Sequence, residues 1–224
     1  MASFIFPLLY GLGGMLTGSL LRLALLRIGV PARRGCLPPT EGLLCFLSIL
    51  CCLVHGPGLY SALCCLLFAL LLAAARIDAV FLYIPDKIPI LIVLLSVICA
   101  ASGFLPVPSP ACGILLSPAW RLAGALSCGG ILLVLRVFTR GGVGLGDVKL
   151  MSACGLFLGP PLSLLALFGA YALAGIWYTP LLLLGKVDRK TPVPMAPFFF
   201  VSLSAAVLWG EAILRWYTGI FLFL

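Results

Sequence analysis

The chain reads as a series of long apolar runs separated by short connections rich in glycine, proline or charge. A membrane-spanning helix needs about 20 predominantly apolar residues. Eight runs are assigned on that basis: Phe4–Leu26, Gly42–Val54, Leu59–Ile77, Ile90–Leu105, Ala119–Phe138, Val148–Leu158, Leu162–Leu184 and Phe198–Phe221. The second and sixth are short and are expected to extend into their flanks. The pattern predicts an all-α fold, a polytopic membrane bundle of about eight transmembrane helices. The first run has no basic segment before it and continues past any plausible cleavage site. It is therefore expected to be a retained helix and not a signal peptide.

Composition supports this class. Apolar residues make up 63% of the 224, charged residues only 9%, and the mean hydropathy is +1.28. A soluble domain carries about 25% charged residues. A soluble enzyme, a nucleic-acid-binding domain and a disordered tail are all excluded as classes.

The net charge of +8 is explained by topology. Arg22, Arg27, Arg33 and Arg34 surround the first loop, Arg76 and Lys87 the third, and Arg136, Arg140 and Lys149 the fifth. Lys186, Arg189 and Lys190 lie in the seventh, and only Arg121 and Arg215 fall on the other side. Basic residues accumulate on the cytoplasmic side. The odd-numbered loops are therefore expected to be cytoplasmic and both termini outside. The even-numbered loops are short or neutral: His55-Gly56-Pro57-Gly58, the Pro106–Pro118 segment and Gly159-Pro160-Pro161.

Ten cysteines raise the question of metal or disulfides, yet the sequence contains no C-x-x-C. Cys45, Cys51, Cys52, Cys64, Cys65, Cys99, Cys128 and Cys154 lie in apolar runs, where cysteine acts as a small hydrophobe. Cys36 alone lies in a cytoplasmic loop, and one cysteine without a nearby histidine cannot build a tetrahedral zinc site.

The six acids carry most of the chemical information. They are Glu41, Asp78, Asp86, Asp147, Asp188 and Glu211. A carboxylate at membrane depth is costly and is a functional candidate by default. Asp78 ends the third run, where the helix dipole disfavours negative charge. Its nearest cation in sequence, Arg76, is two residues away and does not share its helix face. Asp86 precedes the fourth run and suits either a helix cap or a supporting role at a site. Asp147 follows Gly141-Gly142-Val143-Gly144-Leu145-Gly146. It too could cap the next helix, but that glycine density permits positive φ and close backbone approach, which a cap does not need. Neither phosphate-binding glycine pattern is present. Glu211 and Arg215 are spaced to pair on the last helix. Asp188 belongs to a solvated loop, and Glu41 caps or flanks the second run.

The basic-residue topology places Asp78, Asp86 and Asp147 at cytoplasmic helix ends. Two carboxylates in a poorly solvated site cannot both ionise easily, so the pair offers an acid and a base at one pH. The base can activate water while the acid protonates the carbonyl oxygen or leaving amine. His55, the only histidine, falls on the opposite side and cannot serve a Ser or Cys nucleophile there.

These residues also resemble a known family. Gly144-Leu145-Gly146-Asp147 resembles the G-x-G-D motif of polytopic membrane aspartic proteases. Asp78 with Ile84-Pro85-Asp86 resembles the D-x-x-x-x-x-[LI]-P-D pattern of bacterial prepilin peptidases. The run Gly146-Asp147-Val148-Lys149-Leu150, continuing to Gly155-Leu156-Phe157-Leu158-Gly159, looks like the segment that follows the motif. Gly18-Ser19-Leu20-Leu21 is similar to the family's G-S-F-L-N, with Arg22 in place of the Asn. Pro194-Met195-Ala196-Pro197-Phe198 resembles its I-P-F-G-P-F segment, with Met195-Ala196 in place of F-G.

The resemblance implies a type IV leader peptidase of the bacterial inner membrane, active at the cytoplasmic face. Its protein partners would be prepilins or pilin-like pseudopilins with short basic leaders, and no nucleic acid. Asp78 and Asp147 would be catalytic, with Asp86, Pro85, Gly144, Gly146 and Lys149 supporting them. Residues 59–224 would form a six-helix peptidase domain. Residues 1–58 would be a two-helix remnant of a methyltransferase region. Many members carry two C-x-x-C pairs in the first cytoplasmic loop, associated with zinc and with S-adenosylmethionine-dependent methylation. Here that loop shrinks to about Arg27–Glu41 and keeps only Cys36. Peptidase activity alone, without a cofactor, is the expectation, and S-adenosylmethionine enters only if methyl transfer survives. Two other classes are weighed beside it. An ion-coupled carrier would use the acids as a cation site, usually near the midplane between repeated halves. A non-catalytic membrane scaffold would leave them without a chemical task.

Overall fold

A computed structural model of the protein describes residues 2–30, 39–102, 118–188 and 192–222. All regular structure among them is helical. The helices are α1 (Ala2–Arg27), α2 (Thr40–His55), α3 (Leu59–Phe81), α4 (Lys87–Ala101), α5 (Pro118–Phe138), α6 (Leu145–Leu158), α7 (Pro160–Leu183) and α8 (Ala196–Leu222). Each falls on one of the eight apolar runs. Cys36, Arg33, Arg34, Arg189, Lys190 and most of the Pro106–Pro118 segment lie outside the described residues, as does the expected extension of the fourth run to Leu105.

Five helices, α1, α3, α5, α7 and α8, are long and apolar enough to cross a membrane, which makes this a multi-pass membrane protein. The other three are shorter than the crossing expected of every run. With 14 to 16 residues, α2, α4 and α6 reach only about 21–24 Å at 1.5 Å per residue, against a hydrocarbon core of about 30 Å. Local chemistry sets their ends. Gly56 (φ 77°) stops α2, and Gly159 (φ 78°) stops α6 with its N–H on the Gly155 carbonyl. Both conformations favour glycine, and a proline follows each. Asp86, after Pro85, occupies the N-cap position of α4.

The centre of the bundle is α3, which is 67% buried over its apolar window against 22% for α1. It packs on α2, α4 and α8, while α6 packs on α4, α5 and α7, and α1 lies chiefly against α2. Small residues allow the close crossings, as expected where lipid removes the hydrophobic drive between helices. A Cβ on Gly14 would stand 2.6 Å from the Leu44 carbonyl oxygen, and one on Gly18 2.7 Å from the Glu41 Cα. Gly14 and Gly18 thus form a G-x-x-x-G face, turned inward onto α2. Gly124 of α5 and Gly155 of α6 meet backbone to backbone. On α7, Ala166 accepts a hydrogen bond from Ser202 Oγ of α8 at 2.7 Å.

The eight cysteines among the described residues pack as small hydrophobes. Cys51, Cys52, Cys64, Cys99, Cys128 and Cys154 are buried free thiols, and Cys45 and Cys65 are half-buried. The expected Glu211–Arg215 pair forms at 3.1 Å. Glu41 sits in the first turn of α2 and pairs with Arg22 of α1 at 3.1 Å.

Candidate active site

Asp78, Asp86 and Asp147 converge at one end of the bundle. Asp78, Asp147, Asp86, Gly144, Gly146 and Lys149 line a single cavity of about 360 Å³, with Tyr83 and Ile84 on its wall.

Asp78 does not end its helix as the apolar run suggested. The helix continues to Phe81, and Leu82 closes it in the left-handed region (φ 54°), its N–H bonding the Asp78 carbonyl at 2.9 Å. The Asp78 side chain is therefore held on a finished helical turn, only 6% exposed. Its Oδ2 accepts a hydrogen bond from the Ala196 N–H at 3.0 Å, with the Met195 N–H close by. Ala196 opens α8, so Asp78 faces the positive end of that helix. The Met195-Ala196 departure from the family pattern therefore occupies backbone that holds a carboxylate. Its side chains differ, but the N–H groups remain available.

Asp147 sits in the first turn of α6, before the apolar stretch of that helix begins. Its carboxylate faces the backbone N–H of Gly144, three residues upstream at the N-cap position. Asp147 thus combines a first-turn position with a place in the cavity. Burial, reinforced by repulsion from Asp78, pushes the Asp147 carboxyl up to about 7. The two acids therefore sense each other, and their proximity adds to burial in favouring the neutral form of Asp147.

The glycine loop uses its residues in different ways. Gly141 has φ 94°, the left-handed conformation the sequence allowed for. Gly144 and Gly146 serve close approach instead. A Cβ on Gly144 would lie 3.3 Å from Asp147 Oδ2, and one on Gly146 would lie 3.1 Å from Ile84 Cβ. The loop is anchored by Arg136 in the last turn of α5, whose guanidinium donates to the Val143 carbonyl.

Asp86 departs from one of its two expected roles. It stands at the N-cap position of α4, but its side chain makes no cap hydrogen bond. Lys149 of α6 holds it instead, at 2.7 Å. Both side chains are at least half exposed at the cavity mouth. Pro85 links Asp86 to buried Ile84, and its carbonyl accepts the Ile88 N–H at 3.0 Å.

Two tyrosines were not identified from the sequence. Tyr171 of α7 lies within electrostatic reach of Asp147, and Tyr178 within reach of Asp78. Their rings pack edge-on to Phe199 at 6.1 Å and Phe198 at 5.8 Å. The signal was available: positions seven apart, two helical turns, on one face of an otherwise apolar helix.

A larger cavity of about 760 Å³ opens at the other end of the bundle, beside His55, Glu211 and Arg215. His55 is engaged by the Val207 carbonyl at 2.9 Å, and Glu211 by Arg215. Despite its size, this cavity has no second carboxylate side chain along its lining among the described residues to pair with Glu211.

Comparison with known proteins agrees with the geometry. Residues 65–179 match the type IV leader peptidase family, a stretch that contains Asp78, Asp86 and Asp147. The chain belongs to that family. It is 31% identical over 149 residues to a prepilin leader peptidase/N-methyltransferase of Bacillus subtilis, covering 66% of this chain and 56% of that protein. It is 29% identical over 203 residues to one of Aeromonas hydrophila, covering 84% and 66% respectively. A Legionella pneumophila relative of the same name is 36% identical over 105 residues, 42% of this chain and 36% of that protein. The matched stretch thus spans between about a third and two thirds of these relatives. No solved structure gives a significant match.

Proposed function

We propose that the protein is a membrane aspartic endopeptidase that removes the basic leader from type IV prepilins or pilin-like pseudopilins. The observation that carries this reading is the pairing of Asp78 and Asp147 across one cavity, with Asp78 held by the Ala196 N–H at the start of α8. The family match and the printed names of the relatives support it.

In this reading the two carboxyls share one proton and titrate as a unit. The ionised member takes a proton from water as the water oxygen attacks the scissile carbonyl. The neutral member protonates the carbonyl oxygen. Collapse of the tetrahedral intermediate breaks the C–N bond: the carboxyl that took the proton of water gives it to the leaving amine, and a hydroxyl of the intermediate returns its proton to the other carboxylate, restoring the pair. Gly144, Gly146 and Pro85 shape the backbone around the acids, and Asp86 with Lys149 forms the mouth. Neither metal nor cofactor is required for these steps.

We place the site at the cytoplasmic face of the inner membrane and both termini outside, on the distribution of basic residues. Residues 59–224 form the peptidase unit of the proposal, and residues 1–58 a short two-helix companion. We assign peptidase activity without methyl transfer, on the short loop of about residues 27–41 and its single cysteine.

Co-expression with a candidate prepilin from the same genome tests the reading. A leaderless product is expected from the unaltered chain and none from Asp78→Ala or Asp147→Ala, with each variant still inserted. Full cleavage by either variant would remove that aspartate from the mechanism. An unaltered chain that inserts yet cleaves no encoded prepilin would return the weight to a scaffold or carrier.

A further inference from the structure

We infer that a lipid-facing groove between α4, α5 and α6 receives the apolar helix of the substrate, placing the leader junction over the aspartates. This rests on the peptidase reading and adds to it a location for the substrate's membrane segment. The groove has a volume of about 580 Å³ and shares Asp86 and Lys149 with the aspartate cavity. The two are therefore continuous through the exposed ion pair.

The form of the groove suits a helix. Its floor is made of Ala125, Ser152 and Ala153, small residues that let a helix backbone approach closely. Ile90 and Val93 of α4 form one wall, 65% and 39% exposed. From Asp86 to Val93 along α4, and from Val148 to Leu156 along α6, the walls run about 10–12 Å at 1.5 Å per residue. That length matches about two turns of a docked helix.

Polarity fixes the orientation of the occupant. The groove is apolar along the helices and charged only at the end that opens onto Asp78 and Asp147. A polypeptide with a polar leader followed by an apolar helix matches that gradient. Its junction falls at the Asp86–Lys149 mouth while the helix lies in the groove. An anionic lipid is a poorer match, because Asp86 at 2.7 Å already neutralises Lys149. The ion pair also spans α4 and α6, so an arriving chain can part it and reach the cavity without displacing a helix.

A photoreactive residue placed at Val93 tests this in membranes containing the full chain and a prepilin that it cleaves. The same residue at Val201, on the exposed face of α8, is the comparison. An adduct to the apolar helix of the substrate is expected from position 93, at least tenfold above that from 201. Equal yields, or adducts to lipid alone at 93, would overturn the groove. Ala125→Phe supplies a second readout by raising the groove floor. It is expected to increase KM for the prepilin at least tenfold with kcat within about twofold. An unchanged KM would overturn the groove while leaving the peptidase reading intact. If the unaltered chain cleaves no prepilin, the peptidase reading fails first and the groove proposal falls with it.

Discussion

The crossing of α5 and α6 offers the sharpest test of how packing positions the site. Gly155→Ala adds one methyl group where the two backbones meet. The new Cβ would stand 2.6 Å from the Gly124 carbonyl carbon and 3.0 Å from the Ala125 nitrogen, and would overlap the Gly124 carbonyl oxygen. Carbon–carbon contacts settle at about 3.5–4.0 Å, so the helices must part by about 1 Å. These neighbours are backbone atoms, and no flexible side chain can yield in their place. Overpacking of this kind costs about 1–3 kcal/mol. In a chain of this length that corresponds to a loss of roughly 3–10 °C in thermal midpoint. Asp147 lies on the same helix, about 12 Å from Gly155 at 1.5 Å per residue, and moves with it. A shift of about 1 Å in a catalytic group costs on the order of 100-fold in rate. Thermal unfolding in detergent and prepilin cleavage would be read together. Gly130→Ala is the control, since a Cβ there meets nothing within 4 Å, and it should gain up to about 1 kcal/mol. A Gly155→Ala protein with unchanged midpoint and activity would show that the crossing is looser than described.

Three further outcomes are expected. Asp147 holds its proton to about 7 when folded and to the ordinary 3.8 when unfolded, so stability is greatest below pH 4 and falls as pH rises to 7. Asp147→Asn should therefore gain on the unaltered protein across that interval, by at most about 4 kcal/mol, and a pH-independent difference in unfolding midpoint would contradict the burial of this acid. Asp86→Asn and Lys149→Gln each break an ion pair whose side chains are at least half exposed, and thermal unfolding should show losses below about 1 kcal/mol, whereas a loss of several would mean the pair is a buried structural link. Leu82, left-handed at φ 54° and half exposed, should accept Gly with little change but lose about 1–2 kcal/mol as Ile, and the reverse order in a thermal melt would dispute that conformation.

What the sequence made legible follows from which signals are local. Apolar runs of helical length located the eight helices of the described residues because lipid requires each segment to satisfy its own backbone hydrogen bonds. Asp78 and Asp147 stood out because a carboxylate in an apolar chain is expensive wherever it sits. The partner of Asp78 was hidden, because it comes from a helix distant in sequence and acts through a backbone atom. Ala196 is 118 residues from Asp78, and the N–H it offers belongs to every residue except proline. For Asp86 the sequence left a cap and a supporting role both open, for a related reason. A carboxylate at a helix start suits capping locally, yet Lys149, 63 residues away, supplies a full charge at 2.7 Å. Motif spacing thus identifies which groups are costly enough to need a purpose, while the bundle determines which backbone and which cation meet that cost.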